Sequence, residues 1–198
     1  MNTLIVIPAY NTQNKLSILI DKILKISNLD ILILDDGSDR PLNIAIESIN
    51  NIKLLRNSMN QGKGCAIKKA VKYALKNNYT HIITIDSDLQ HDPSKINDFH
   101  NHQENVDLVI GKRSLIAPMP IHRRFSNKVT SLIISKIIKN KIYDSQSGYR
   151  RYNMSLFSSN AFIEDGFHFE SEFLLKCIDQ NSIIEHIDIP TIYNDAHS

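Results

Sequence analysis

Two acidic clusters carry the chemistry most plainly: Asp35-Asp36-Gly37-Ser38 and Asp86-Ser87-Asp88, each placed directly after a short apolar run. Carboxylates gathered on one rim repel one another unless a positive charge joins them. A divalent cation is the usual solution, and oxygen ligands suit Mg²⁺ or Mn²⁺. The Asp-x-Asp alternation aims two carboxylates at one point if the chain turns there, which makes Asp86 and Asp88 the candidate metal ligands. Asp, Ser and Gly also build ordinary turns, and for Asp36-Gly37-Ser38 that simpler reading stays open. A third segment, Asn60-Gln61-Gly62-Lys63-Gly64, precedes a helical pattern. Its glycines let backbone approach a ligand, and a helix start favours anions. It lacks the spacing and the Lys-Ser/Thr ending of a Walker A loop, so a plain helix-starting turn is the alternative.

Positioning these groups requires strands that end where the clusters begin. The apolar runs Leu4–Ile7, Ile31–Leu34, Ile52–Leu55, Ile82–Ile85 and Val106–Ile110 predict strands, several of them apolar throughout, as in a sheet buried on both faces. Helical spacing recurs between them, over Leu16–Ile26 (Leu16, Leu19, Ile20, Ile23, Leu24), weakly near 42–50, over Ala66–Leu75, and from Pro93 to His102. Further on, Phe125–Ile138 predicts a helix with Phe125, Val129, Leu132, Ile133 and Ile137 on one face. Gly148–Tyr152 reads as extended, Phe169–Ile178 as helical and Ile183–Ile189 as a last strand. The β-α alternation predicts an α/β fold with a mainly parallel central sheet flanked by helices. Ligands of such sheets bind at the carboxyl ends of the strands, where both acidic clusters fall.

The 198 residues suit one domain, and no Pro/Gly/Ser-rich linker divides them. A net charge of +2 argues against bulk electrostatic binding of nucleic acid. Cys65 and Cys177 lie far apart in helical patterns and read as free, buried thiols of a reducing compartment. The Leu4–Ile7 run is too short for a signal peptide, and no apolar stretch of about 20 residues predicts a membrane span.

The order of the motifs resembles glycosyltransferase family 2. Val6-Ile7-Pro8-Ala9-Tyr10-Asn11 is followed by Leu34-Asp35-Asp36-Gly37-Ser38, Asn60-Gln61-Gly62-Lys63-Gly64 and Asp86-Ser87-Asp88-Leu89-Gln90-His91-Asp92-Pro93. Ile110-Gly111-Lys112-Arg113, Arg123-Arg124, Asp144-Ser145-Gln146-Ser147-Gly148-Tyr149-Arg150, Phe169-Glu170-Ser171-Glu172 and Ile189-Pro190-Thr191-Ile192-Tyr193 extend the likeness to the branch of dolichyl- and polyprenyl-phosphate sugar synthases. The resemblance implies a Rossmann-like GT-A fold, with a nucleotide-sugar half over 1–111 and an acceptor half over 112–198. It implies an inverting transferase that passes a sugar from a nucleotide-diphosphate donor to a polyprenyl phosphate or to a surface glycan or glycolipid.

By the same resemblance Pro8, Tyr10, Asp35, Asp36, Lys63, Asp86 and Gln90 meet the donor, while Asp86 and Asp88 hold Mg²⁺ or Mn²⁺. Arg113, Arg123, Arg124 and Arg150 meet the acceptor, and Asp144 and Glu172 lie beside the reacting groups. A hydroxyl acceptor needs a base, for which Asp144 or Glu172 is the candidate; a phosphate acceptor is already anionic and needs none. Glu170 and Glu172, two apart on a helix, do not share a face. Glu172 is preferred, with Glu170 and His168 read as a solvated helix start. The segment His122–Lys141 combines an apolar face with basic residues, which suits a membrane surface with anionic headgroups; a core-packing helix with a solvated basic face is the other reading. The implied setting is cell-envelope polysaccharide synthesis in the cytoplasm, at the inner face of the membrane, with a membrane-anchor partner as an option and no nucleic acid.

Two departures stand out. Thr12 occupies a position where many members are acidic, and the chain stops at Asp195-Ala196-His197-Ser198, where many relatives continue. A non-catalytic scaffold that binds sugar nucleotides is therefore the alternative function. A nucleotidyltransferase is disfavoured because Pro8-Ala9-Tyr10-Asn11 replaces a basic, glycine-rich first loop.

Overall fold

The computed structural model describes residues 1–42, 50–113, 121–157, 169–177 and 181–192, without the side chains of 121–124, Phe169, Glu172 and Lys176. The weak helix expected near 42–50, His168, Tyr193 and the side chains of Arg123, Arg124 and Glu172 therefore lie outside the described residues.

The apolar runs become strands and the helical patterns become helices, close to the expected bounds. In chain order they are β1 (Thr3–Ala9), α1 (Gln13–Leu24), β2 (Asp30–Asp35), β3 (Ile52–Arg56), α2 (Lys63–Lys76), β4 (His81–Thr84), α3 (Ile96–His100), β5 (Leu108–Arg113), α4 (Ile121–Ile138), β6 (Arg150–Asn153), α5 (Phe169–Lys176) and β7 (Ile184–Ile189). The helix expected from Pro93 is shorter than its pattern. Pro93–Lys95 forms a 3₁₀ turn, capped by the Asp92 side chain accepting from Ser94 N, and α3 follows.

Among the described residues, seven strands form one sheet in the order β3-β2-β1-β4-β6-β5-β7. β1 pairs in parallel with β2 and β4, β2 with β3, and β5 with β7. Only β6, among the described strands, runs antiparallel to its neighbours β4 and β5. Alternate residues serve opposite faces, as the pleat requires. Leu4, Val6, Leu32, Leu34 and Ile82 pack with Ala66, Ile67 and Ala70 of α2, and with Ile134 of α4 and Phe173 and Leu174 of α5. Ile5, Ile7, Ile31, Ile33 and Ile83 pack with Leu16, Leu19, Ile20 and Ile23 of α1 and Phe99 of α3 on the other face. Burial on both sides explains why these strands read as continuous apolar runs.

Burial sorts the faces of two helices. Leu75, near the end of α2, is 47% exposed. The apolar face of α4 points to solvent among the described residues: Phe125 is 70% exposed, and Val129, Leu132, Ile133 and Ile137 are exposed as well. The inward stripe of α4 is instead Asn127, Ser131 and Ile134. Polar partners decide this orientation. Asn127 Nδ2 donates to Asp144 Oδ1 (2.8 Å), Ser131 Oγ donates to Ser145 Oγ (3.1 Å), and Ser145 N donates to Ser131 Oγ (3.0 Å). Turning α4 to bury its apolar side would strip Asp144 and Ser145, which are themselves buried, of these bonds, and buried polar groups left unpaired are costly.

Candidate active site

The strand order reverses direction between β1 and β4, and crevices at such switch points are where open α/β sheets take ligands. A cleft of about 370 Å³ lies there, lined by Pro8, Tyr10, Asp36, Lys63, Asp86 and Asp88 among others. Six sequence-predicted positions from four separate segments thus meet in one place. Asp35 and Gln90 do not line it.

The floor is built by hydrogen bonds from the strand ends. Asp35 is 1% exposed and accepts from Ser38 N (2.9 Å) and from the guanidinium of Arg56, which also donates to Ser38 O (2.6 Å). Burial opposes ionisation of Asp35, but the Ser38 hydrogen bonds and Arg56 outweigh it and lower its pKa. Asp35 therefore braces the loop. Its neighbour Asp36 reaches the other way. It accepts from Asn57 Nδ2 (2.6 Å), Gln61 N (3.1 Å) and Gly62 N (2.8 Å), clasping the end of β2 to the start of α2. Gly37 sits between them at φ +74°, and a Cβ there would strike the backbone of Met59 and Asn60. No side chain can replace it without parting the two loops.

After β4 the chain turns through Asp86, Ser87, Asp88 and Leu89, the last at φ +66°. The turn is held by Gln90 N donating to Asp88 Oδ1 (2.9 Å) and by Thr12 Oγ1 donating to Ser87 Oγ (3.0 Å). Thr12, the departure from the family pattern, thus joins the β1 loop to the acidic loop.

Lys63 crosses the cleft. Its Nζ lies 2.6 Å from Asp86 Oδ1 and 2.6 Å from Glu170 Oε1. Burial opposes its charge, but Asp86 and then Glu170 outweigh that and raise its pKa. For Asp86, burial again opposes the charge, while Lys63 and then His91 hold its carboxyl far below the usual range. His91 Nε2 stands 3.5 Å from Asp86 Oδ2, and its Nδ1 has no hydrogen-bond partner among the described residues. Gly148 lets this cluster close up. A Cβ there would overlap Asp86 Oδ2 and stand 2.5 Å from Lys63 Nζ.

Glu170 is a correction. Read as a solvated helix start, it is 7% exposed and pairs with Lys63. It lies more than 100 positions from Lys63 in sequence, and no local signal distinguishes it from Glu172. His91 was within reach of sequence reasoning, since it follows Asp86 by five positions in the same loop.

The expected acceptor residues divide. Arg113, at the end of β5, grips Asp144 through Nε to Oδ2 (2.7 Å) and Nη2 to Oδ1 (2.9 Å), with its backbone N at 3.3 Å from Oδ2. Asp144 is fully buried; burial opposes its charge, but Arg113 and Asn127 win and lower its pKa. A carboxylate held this way accepts a proton poorly, so its geometry is that of an anchor for Arg113 and not of a base. Arg150 is fully buried, and its guanidinium donates to the carbonyls of Ser147 (2.8 Å), Glu170 (2.9 Å) and Ser145 (2.7 Å), so it ties loops together.

Among the described residues, no group of three or more His, Cys, Asp or Glu side chains forms a metal cage. Two carboxylates on one cleft wall still fit a hard cation, because Mg²⁺ is commonly held by one or two carboxylates plus substrate phosphates and water. The Lys63 ammonium on Asp86 shows that the wall already accommodates a positive charge.

Comparison with known proteins bears on the family and the fold. The sequence model described as Glycosyl transferase family 2 matches residues 4–166. An uncharacterized protein of Methanocaldococcus jannaschii is 32% identical over 96% of this chain and 88% of its own. The polyprenol monophosphomannose synthase of Mycolicibacterium smegmatis is 21% identical over 98% of this chain and 77% of its own. The crystal structure of glucosyl-3-phosphoglycerate synthase from Mycobacterium tuberculosis, in complex with Mn²⁺, UDP and phosphoglyceric acid, superposes with a TM-score of 0.76. It covers 99% of this chain and 71% of that one at 17% identity, which bears out the expected GT-A fold.

Proposed function

The chain belongs to glycosyl transferase family 2 and is a glycosyltransferase, and from that membership we propose that it moves a sugar from a nucleoside-diphosphate donor to a lipid-linked phosphate. The observation that carries the donor half of this reading is the convergence of Asp86, Asp88 and Lys63 at the switch-point cleft. Pro8, Tyr10 and Asp36 line the same cleft and on this reading would flank the nucleoside. Asp86 and Asp88 would hold Mg²⁺ or Mn²⁺, which supplies positive charge where the leaving diphosphate gains negative charge. Lys63 adds a second positive group on the same side, so the leaving charge meets fixed partners in a half-buried site. Positioning of donor against acceptor supplies much of the rate in such a transfer.

The anchored state of Asp144 favours an anionic acceptor. With both oxygens engaged, it is unsuited to deprotonate a hydroxyl, whereas a phosphate acceptor needs no base. On this reading the donor half spans 1–111 and the acceptor half 112–198, and Arg113, Arg123 and Arg124 are the candidate acceptor contacts. Among the described residues no helix is long and apolar enough to cross a membrane. A lipid acceptor would then be met at the inner face of the cytoplasmic membrane.

A panel of UDP-, GDP- and dTDP-sugars tests the donor site by calorimetry and thermal shift, with and without Mn²⁺, on wild type and Asp88→Ala. Metal-dependent binding of one nucleotide class, lost in the variant, supports the reading. Absence of binding to every nucleotide by a folded protein overturns it.

A further inference from the structure

We infer that the outward face of α4 is a docking surface for an anionic lipid bilayer. The helix is inverted relative to a core helix: Asn127 and Ser131 are buried, while Phe125, Val129, Leu132, Ile133 and Ile137 are exposed. The five recur at spacings of three and four, so they form one stripe along four turns. Five large apolar side chains on one helix are a patch, and an exposed patch of this kind marks an interaction site.

Charge identifies the occupant. Residues 121–143 contain no Asp or Glu, yet include Arg123, Arg124, Lys128, Lys136, Lys139 and Lys141. The four lysines are exposed. Lys128 borders the stripe, and Lys136 lies within it near its end. An apolar stripe bordered by cations suits acyl chains below and anionic headgroups around them. Tyr143, 41% exposed, extends the pattern, with Lys112 Nζ 4.8 Å and Lys141 Nζ 4.7 Å from its ring centroid. Tyr beside Lys is a combination favoured at the headgroup level. A second copy of this chain fits less well, because pairing two such faces brings together like charges with no acidic residue to offset them.

The inward stripe connects this surface to the site. Asn127 holds Asp144, and Asp144 holds Arg113. A bilayer against α4 therefore lies beside the end of the molecule where a lipid-linked phosphate would be met. That consequence rests on the proposed function, whereas the docking itself does not.

Co-sedimentation of the full chain with phosphatidylglycerol-rich and pure phosphatidylcholine vesicles tests the inference. Binding to the anionic vesicles alone, weakened by salt, is expected. Lys128→Gln with Lys136→Gln should reduce it by roughly 30-fold, since each surface cation contributes a factor of about five. Phe125→Ser with Leu132→Ser should reduce it by more than about tenfold through lost apolar insertion. All four positions are solvent-exposed, so nucleotide binding by calorimetry should be unchanged and certifies folding. Wild type remaining in solution with both vesicle types overturns the inference, as do variants that sediment like wild type. A wild-type dimer that the Phe125/Leu132 variant converts to monomer, without vesicle binding, assigns the face to a second copy and also overturns it. Vesicle binding without any nucleotide binding would instead sink the donor reading and leave this surface standing.

Discussion

Replacing Lys63 with methionine keeps the aliphatic stem and removes the ammonium that lies 2.6 Å from both Asp86 and Glu170. Two carboxylates, 28% and 10% exposed at their side chains, are then left without that shared cation. Removing one partner of a buried ion pair costs about 3–5 kcal/mol, and the partial exposure of Asp86 places this case near about 3 kcal/mol. For a chain of this length that corresponds to a fall in Tm of roughly 6–12 °C. The pH dependence gives a second signature. The Asp86 pKa is depressed in the fold, so its contribution is present above the unfolded value of about 4 and is lost as pH falls through the folded value. Wild type and Lys63→Met should therefore differ fully at neutral pH and converge in acid below about pH 4. If Asp86 and Asp88 hold a divalent cation, Mn²⁺ should stabilise the variant more than wild type, because the competing ammonium is gone. Scanning calorimetry in EDTA and in Mn²⁺, across pH, measures all three. An unchanged Tm in EDTA with no convergence in acid would refute the claim that Lys63 is held between these carboxylates.

Gly148→Ala should fold, because the atoms in the way are the ends of the Asp86 and Lys63 side chains; it should nevertheless weaken metal and nucleotide binding at least tenfold by calorimetry, as those ends are displaced. Arg150→Met should cost about 3 kcal/mol or more in denaturant unfolding by leaving three buried carbonyls short of a donor, and a variant with normal stability but a raised KM for acceptor would contradict the structural role assigned here. His186 is pushed down to about 4 by burial and by the nearby charges of Lys112 and Arg150, against the opposing pull of Asp144 and Asp188. Its depressed pKa means that the unfolded chain binds the extra proton between about pH 6.5 and about pH 4, so stability decreases as pH is lowered through that window and the contribution is constant below it. His186→Gln should flatten that slope, and an NMR titration of the imidazole should give a midpoint near 4, not near 6.5.

The residues at the strand ends were legible because their placement is local. A short apolar run such as Ile31–Leu34, in β-α alternation, reads as an inner strand, and Asp35 and Asp36 follow it directly, so they emerge on the carboxyl rim. The same logic located Asp86 and Asp88 after β4 and Lys63 at the start of α2. Local order could not say which of two adjacent carboxylates faces a ligand: Asp35 turned to Arg56 and Asp36 to the α2 loop because their side chains alternate across the strand end. Nor could it place Glu170, whose pairing with Lys63 depends on α5 packing against the rest of the fold, or show that Arg150 is spent on three carbonyls. The helix α4 is the clearest case. Its 3.6-residue pattern by itself determines a helix with one apolar side, but which side faces inward depends on buried partners at Asp144 and Ser145 that lie far off in the sequence, because polar groups in the interior must keep their hydrogen bonds.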